Sequence, residues 1–484
     1  MSIVKLAIWD FTGRVANYFV LFIVSVILTR LMSPAEFGAY GIVLSVISLS
    51  AIFVDLGFRS AIIQAQETSQ EQLSTIFFIN LSIAILLILL FSAGGGLIEN
   101  FYEIEGLKNY ITFASLLFAL NALALVPSGL LQKNLELKTI SLINTVTAFL
   151  SGIIAVSFAF YGYKVWALII QQLAVATLSL IGFAYFAKWI PSFSFNLSSI
   201  KKLWQYGSKL LLSGILDTVF TRLDVFIIGK LFPIQTLGYY NRAQALDNLI
   251  RSFSASTTTS VAFPLIAKMS DDIDKTQKFY VTCLHIICFL SFLLIGVLFL
   301  TCFDIVIILF TEKWLTVGYY FRIMSVTGFV FPVSALMVNI ISARGNSKAF
   351  LKLEIIKKCI LFPTYLSFFF GGVYFFLIVF GAAFLLALIA NAVFVEKEIS
   401  VPLRQQLSII FKYGAVAGIV TAIVFGLTFY LENIYLHLIV SSALFALLYL
   451  AINYKLKFLG FVEIFNRALK FYNDKRHANI SPAV

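Results

Sequence analysis

The chain has 484 residues, of which 61% are hydrophobic and only 12% charged, with a mean hydropathy of +0.97 and a formal net charge of +12. A soluble domain carries about 25% charge, so no water-soluble fold would hide this apolar surface and the class is an all-α polytopic membrane protein. The positive balance could suggest nucleic acid, but in a membrane protein it reports topology more simply, and no nucleic-acid partner is expected.

A helix needs about 20 apolar residues to cross the bilayer. About fourteen candidates follow in chain order, centred near residues 22, 48, 85, 121, 151, 176, 217, 251, 291, 329, 364, 385, 420 and 444. The first run lacks a long charged leader and a small-residue cleavage site, so it reads as a retained helix. The segments near 217 and 251 are the most polar. Residues 1–187 form a first six-helix bundle and 205–400 a second. Between them, residues 188–204 (KWIPSFSFNLSSIKKLW) mix aromatics with Lys201 and Lys202, as an amphipathic linker at the cytoplasmic interface would. Residues 401–454 add two helices, and 455–484 form a basic tail.

The bundles are related. Residues 27–41 read ILTRLMSPAEFGAYG and 227–241 read IIGKLFPIQTLGYYN, so Ile27, Leu31, Gly38 and Tyr40 recur as Ile227, Leu231, Gly238 and Tyr240. Pro127, Leu131 and Asn134 recur as Pro332, Leu336 and Asn339. Two similar halves in one membrane protein point to a transporter with its site at their interface. The matched prolines Pro127 and Pro332 are candidate hinges.

Positive charge gathers in alternate loops: Lys201 and Lys202, the run Arg344, Lys348, Lys352, Lys357 and Lys358, and the tail with Lys470, Lys475 and Arg476. The other loops hold Lys108, Lys164, Lys230 and Lys313 with Glu99, Glu103 and Glu105. That asymmetry places both termini in the cytoplasm. Short outer loops and a short tail leave no room for a catalytic domain, so the function resides among the helices and the chain is not an enzyme. Neither the four cysteines nor the scattered His285, His437 and His477 suggest a metal site, and no cofactor is expected.

Several spans carry charges that cost about 2.5–3.5 kcal/mol each at a bilayer centre. Asp10, Arg14 and Asn17 share one face of the first, and Asp55 and Arg59 end the second. Asp217, Arg222 and Asp224 lie on the seventh. Tyr240, Gln244, Asp247, Arg251, Ser254 and Thr258 form one stripe of the eighth, which also holds Arg242. Local pairing at i,i+4 would neutralise some of these charges. Arg222, Arg242 and Lys209 remain in excess. With Arg14, Arg59 and Arg251 they predict a cationic cavity for an anion such as phosphate, lined by Asn17, Gln244, Asp247 and Tyr240. Asp217, Asp224 and Asp247 are candidates for coupling to an H⁺ or Na⁺ gradient.

The stretch Leu31–Gly41, followed by Asp55-Leu56-Gly57 and Ile62-Ile63-Gln64, resembles the opening of bacterial polysaccharide flippases. So does Gly238-Tyr239-Tyr240-Asn241-Arg242-Ala243, followed by Phe263-Pro264-Leu265. Together they are similar to the colanic-acid and teichuronic-acid exporter branch, with its O-antigen relatives, of the multidrug/oligosaccharidyl-lipid/polysaccharide exporter superfamily. The resemblance spans roughly residues 1–400. It implies a V of two six-helix bundles around a central cavity, alternating access in the bacterial inner membrane, and an oligosaccharide on undecaprenyl diphosphate as substrate. A monomer is expected because the two halves already supply pseudo-symmetry, and a polysaccharide polymerase and chain-length machinery are candidate partners. The competing readings are a cation-coupled drug exporter of the same fold, a peptidoglycan-precursor flippase and a membrane glycan polymerase.

Overall fold

The computed structural model describes residues 3–269 and 272–466. Among these residues the chain forms seventeen α-helices, a further helical stretch over 459–466 and two short 3₁₀ turns, without a strand. It divides into two compact units, Met1–Asn241 and Arg242–Val484.

The first unit opens with α1 (Ile3–Leu31), α2 (Pro34–Asp55) and the short α3 (Phe58–Gln64). Then come α4 (Gln70–Tyr102), α5 (Leu107–Ala114), α6 (Leu116–Lys133), α7 (Leu137–Phe160) and α8 (Val165–Ala187). It closes with α9 (Lys201–Leu231) and the first turns of α10 (Ile234–Lys268). Two helix starts follow from capping boxes written in the sequence. Ser33 accepts from the Glu36 N–H at 3.4 Å while the Glu36 carboxylate accepts from the Ser33 N–H at 2.8 Å, with Pro34 at the first helical position. Ser69 and Gln72 repeat the exchange at the start of α4.

The recurring glycines have one steric cause. A methyl group on Gly38 would overlap the backbone of Ile234, and one on Gly238 would overlap the backbone of Pro34. The N-terminal turns of α2 and α10 therefore cross reciprocally at backbone contact, a packing that small residues permit where lipid leaves no hydrophobic drive between helices. The Asp55-Leu56-Gly57 motif makes the turn into α3: Leu56 (φ 49°) and Gly57 (φ 74°) are both left-handed, and a methyl on Gly57 would strike the carbonyl of Gly207.

Residues 189–196 of the linker are extended, 197–200 form turns and 201–204 belong to α9; the extended part is amphipathic with a period of two. Phe193, Phe195 and Leu197 are exposed, while the alternate residues bond to α4 or to one another. Ser192 contacts Ser74 at 3.0 Å, and the Asn196 N–H donates to Thr75 at 3.1 Å. The Trp189 indole N–H donates to Gln70 at 2.7 Å, and the Gln72 amide donates to the Ser199 carbonyl at 2.9 Å.

The second unit holds the rest of α10, then α11 (Ile273–Phe310), α12 (Leu315–Val326), α13 (Val330–Ala343), α14 (Ser347–Leu361) and α15 (Phe368–Ile399). The added helices α16 (Leu403–Thr428) and α17 (Ile434–Lys455) pack on α11. Phe445 is fully buried against Gly296, and the Tyr449 hydroxyl donates to the Phe289 carbonyl at 3.2 Å. The buried Gln406 accepts from Tyr280 at 2.7 Å and donates to the carbonyls of Ala392 and Val401, tying α11, α15 and α16 together.

Within α15, Gly371 (φ −153°) and Gly372 (φ 67°, ψ −160°) leave helical geometry. Tyr365 lies 5.7 Å from Phe376 and 6.3 Å from Phe380, ring to ring. Eleven to fifteen residues of straight helix would separate them by about 16–22 Å, so the chain reverses at the glycine pair. The expected segments near 364 and 385 are the two legs of this hairpin.

Ten helical segments of the described residues are long and apolar enough to cross a membrane by length and composition. The helices at the expected polar segments, α9 and α10, fall outside that set, and α1 contributes only the shorter apolar stretch Val15–Leu31. Leu86, Leu89, Leu90, Leu97 and Phe101 form an exposed apolar face of α4, which water would not tolerate and lipid requires. The chain is a multi-pass membrane protein. Loops expected on one side also meet. Lys230 pairs with Glu103 at 3.1 Å, and Arg344 with Glu398 at 3.5 Å.

Candidate functional site

The first unit contains a polar cavity of about 440 Å³, within the range of small-molecule sites. Three of its helices each bring a short-spaced set of residues to one face, and α3 and α8 add one residue each. Helix α1 gives Gly13, Asn17 and Tyr18, α6 gives Ser128 and Gln132, α7 gives Ser141 and Asn144, and α3 gives Arg59. Gly13 lets α1 close on α7, since a methyl there would overlap the Ser141 side chain. The Thr145 hydroxyl donates to the Ser141 carbonyl at 2.9 Å beside this crossing.

Arg59 is the charged residue among the described lining. Its spacing from Asp55 suggests an i,i+4 ion pair, but the geometry differs. The Asp55 carboxylate accepts the Arg59 backbone N–H at 3.1 Å and so caps α3, while the guanidinium donates to the Ser128 hydroxyl at 2.7 Å. A guanidinium has five N–H donors in a fixed fork. The Ser128 bond orients that fork and leaves donors for a phosphate, with amides, hydroxyls, the Tyr18 and Phe183 rings and the apolar Leu137 and Ile140 around it. That is an arrangement for an anion joined to a polyhydroxy group.

The other expected residues are distributed as follows. The side chains of Arg14 and Lys209, and those of Ser254 and Thr258, lie outside the described residues, as does the tail beyond residue 466. On α9, Arg222 is half-buried and Asp217 exposed. Asp224 and Tyr240 are buried together: the Tyr240 hydroxyl donates to Asp224, whose other oxygen accepts the Val225 N–H at 2.8 Å. In the second unit, half-buried Arg242 and Gln244 precede the Asp247–Arg251 ion pair on α10. The Arg251 guanidinium also lies 3.5 Å from the Phe331 ring centroid and 5.4 Å from that of Phe384. Pro127 sits inside α6, whereas Pro332 occupies the first turn of α13, where a missing N–H costs no helical bond.

Sequence reasoning missed Ser128, Gln132, Ser141 and Asn144, although each pair has a helical spacing that could have revealed it. It also missed Asp304, a carboxylate in an otherwise apolar run. Asp304 lies 2.5 Å from His437 and so links α11 to α17. Among the described residues no group of three or more His, Cys, Asp or Glu is placed to hold a metal.

Known proteins resemble this chain at three levels. Teichuronic acid biosynthesis protein TuaB of Bacillus subtilis (strain 168) is 26% identical over 302 residues, 61% of this chain and 62% of its own length. Lipopolysaccharide biosynthesis protein WzxC of Escherichia coli (strain K12) is 24% identical over 347 residues, 70% of this chain and 69% of its own. The solved structure of lipid II flippase MurJ in an inward closed conformation superposes with a TM-score of 0.72 at 15% identity, covering 96% of this chain and 99% of that one. This likeness establishes the fold. The profile of the polysaccharide biosynthesis protein family matches residues 27–318. That is more than half of the chain, and the motifs quoted from both halves fall within it, so the chain belongs to the polysaccharide biosynthesis protein family.

Proposed function

We propose that the chain is a flippase. It carries oligosaccharide repeat units on undecaprenyl diphosphate from the cytoplasmic to the outer leaflet by alternating access, for assembly of a surface polysaccharide. The observation that carries this reading is the cavity of the first unit, where one oriented arginine stands among amides and hydroxyls. Its chemistry fits a diphosphate and the sugar beside it. It does not fit an organic cation, which the drug-exporter reading requires. The family, and the names of TuaB as a teichuronic acid biosynthesis protein and of WzxC as a lipopolysaccharide biosynthesis protein, support the same substrate class.

The cavity lies near the 133–137 loop, flanked by Lys133 and Lys138, so the positive-inside rule favours cytoplasmic loading. With α1, α9 and α10 counted and Lys348–Ile399 taken as the two legs of its hairpin, fourteen crossings and two cytoplasmic termini follow. In this reading 1–187 and 205–400 are the repeated bundles, 401–454 is an addition, and the working unit is a monomer that delivers to a polymerase.

The test is flux of a labelled polyprenyl-diphosphate oligosaccharide in liposomes carrying the purified chain. A hydrogen bond to a charged group is worth about 1.5–3 kcal/mol, so Arg59→Ala should lower flux about tenfold to hundredfold. Undiminished flux in Arg59→Ala would remove this cavity as the headgroup site. Preference for a peptidoglycan precursor in competition would reassign the substrate. Run with imposed pH and Na⁺ gradients, the assay also tests the coupling role expected of Asp217, Asp224 and Asp247, and insensitivity to both gradients would end it.

A further inference from the structure

The other side of α3 borders a second, different space. An apolar groove of about 580 Å³ runs between Leu56 and Phe58, Ile79 and Ile83 of α4, and the end of the linker with the start of α9. Its floor is buried, with Phe58 at 1% and Ile200 at 5% exposure, while Leu197 and Trp204 at its rim are 61% and 40% exposed. Lys201 stands on the same rim and is exposed. The Phe58 and Trp204 rings lie 5.8 Å apart.

Three features indicate what this groove takes. It is built rather than collapsed, because the linker that forms one wall is fastened to α4 by the Ser192, Asn196, Trp189 and Gln72 hydrogen bonds. It is apolar with a cation at its edge, which complements an amphiphile with an alkyl chain and an anionic end. It is also next to the polar cavity. Phe58 and Arg59 are consecutive, their Cα atoms about 3.8 Å apart, yet Phe58 lines the groove and Arg59 the cavity. A single helix about 10 Å across separates the two spaces. An amphiphile whose phosphate meets Arg59 has an apolar channel for its chain one helix-width away.

We infer that the groove seats the polyprenyl chain of the lipid whose head enters the cavity, with α3 as the divider between chain and head. This rests on the lipid-linked reading of the cavity and adds a second, chain-specific subsite to it. Leu197 and Trp204 form the entrance from the cytoplasmic leaflet, and Lys201 guides the phosphate past the rim.

The experiment uses the full chain in nanodiscs and undecaprenyl phosphate bearing a photoactivatable group on its chain. Cross-links should map to residues 79–83 and 197–204. Unlabelled undecaprenyl phosphate should displace them, and phosphatidylglycerol, an anionic lipid without a polyprenyl chain, should not. Leu197→Trp, which narrows the groove from an exposed position, and Lys201→Glu should each lower cross-linking at least fivefold. Displacement by phosphatidylglycerol would mean an ordinary lipid contact and would overturn the inference. So would labelling on α16 and α17 in place of the groove, or undiminished labelling in Leu197→Trp. The two readings fail separately. Arg59-dependent flux without groove labelling removes the groove alone, whereas groove labelling without any flux keeps the groove and removes the flippase.

Discussion

Arg59 and Arg251 look alike in the sequence, each four residues after an aspartate. Their surroundings separate them. Across from Arg59 stands Ser128, so the guanidinium turns to a polar cavity and Asp55 is left to cap α3. Across from Arg251 stand Phe331 and Phe384, so the guanidinium stacks on rings and stays paired with buried Asp247. Spacing made both pairings legible, but which one forms depends on helices distant in sequence. The predictions differ accordingly. Arg59→Lys keeps the charge but loses the fork, so flux should fall about tenfold with the unfolding temperature unchanged. Arg251→Ala strands a buried carboxylate, a loss of about 3–5 kcal/mol in comparable pairs. It should lower the unfolding temperature markedly, and replacing Asp247 as well should restore much of the loss. An unchanged unfolding temperature in Arg251→Ala would mean that the pair is dispensable.

At the scale of elements, S-x-x-E and S-x-x-Q encode a local hydrogen-bond exchange that starts α2 and α4, whereas hydropathy located only the span centres. The hairpin at Gly371 and Gly372 was expected only as a boundary between two apolar runs, since hydropathy does not record chain reversal. Gly372 occupies a backbone region nearly closed to other residues, where strain costs about 1–3 kcal/mol. Gly372→Ala should therefore lower thermal stability, measurable by fluorescence-detected unfolding, whereas Gly94→Ala, with open space around it, should not. The repeated glycines make a related prediction. Gly38→Val and Gly238→Val should each reduce folded yield, because each forces a side chain into the facing helix backbone. Equal yields for both variants and the wild type would contradict the reciprocal crossing.

At the scale of the whole molecule, the sequence revealed the membrane class and the family, because each is written in local pattern. The polar cavity was half legible. Asn17 and Arg59 were named, but Ser128, Gln132, Ser141 and Asn144 were hidden as ordinary polar residues on apolar helices. The Asp304–His437 contact was hidden because its two residues come from helices far apart in the chain. Function at this scale rests on where a lipid-linked sugar stops when the chain is missing. The most direct measurement is the leaflet position of that lipid in cells lacking the gene, complemented with wild type or Arg59→Ala. A single unpolymerised repeat unit on undecaprenyl diphosphate should accumulate on the cytoplasmic face, cleared by wild type and not by Arg59→Ala. Repeat units that reach the outer face without the protein, or no lipid-linked intermediate at all, would contradict the flippase reading.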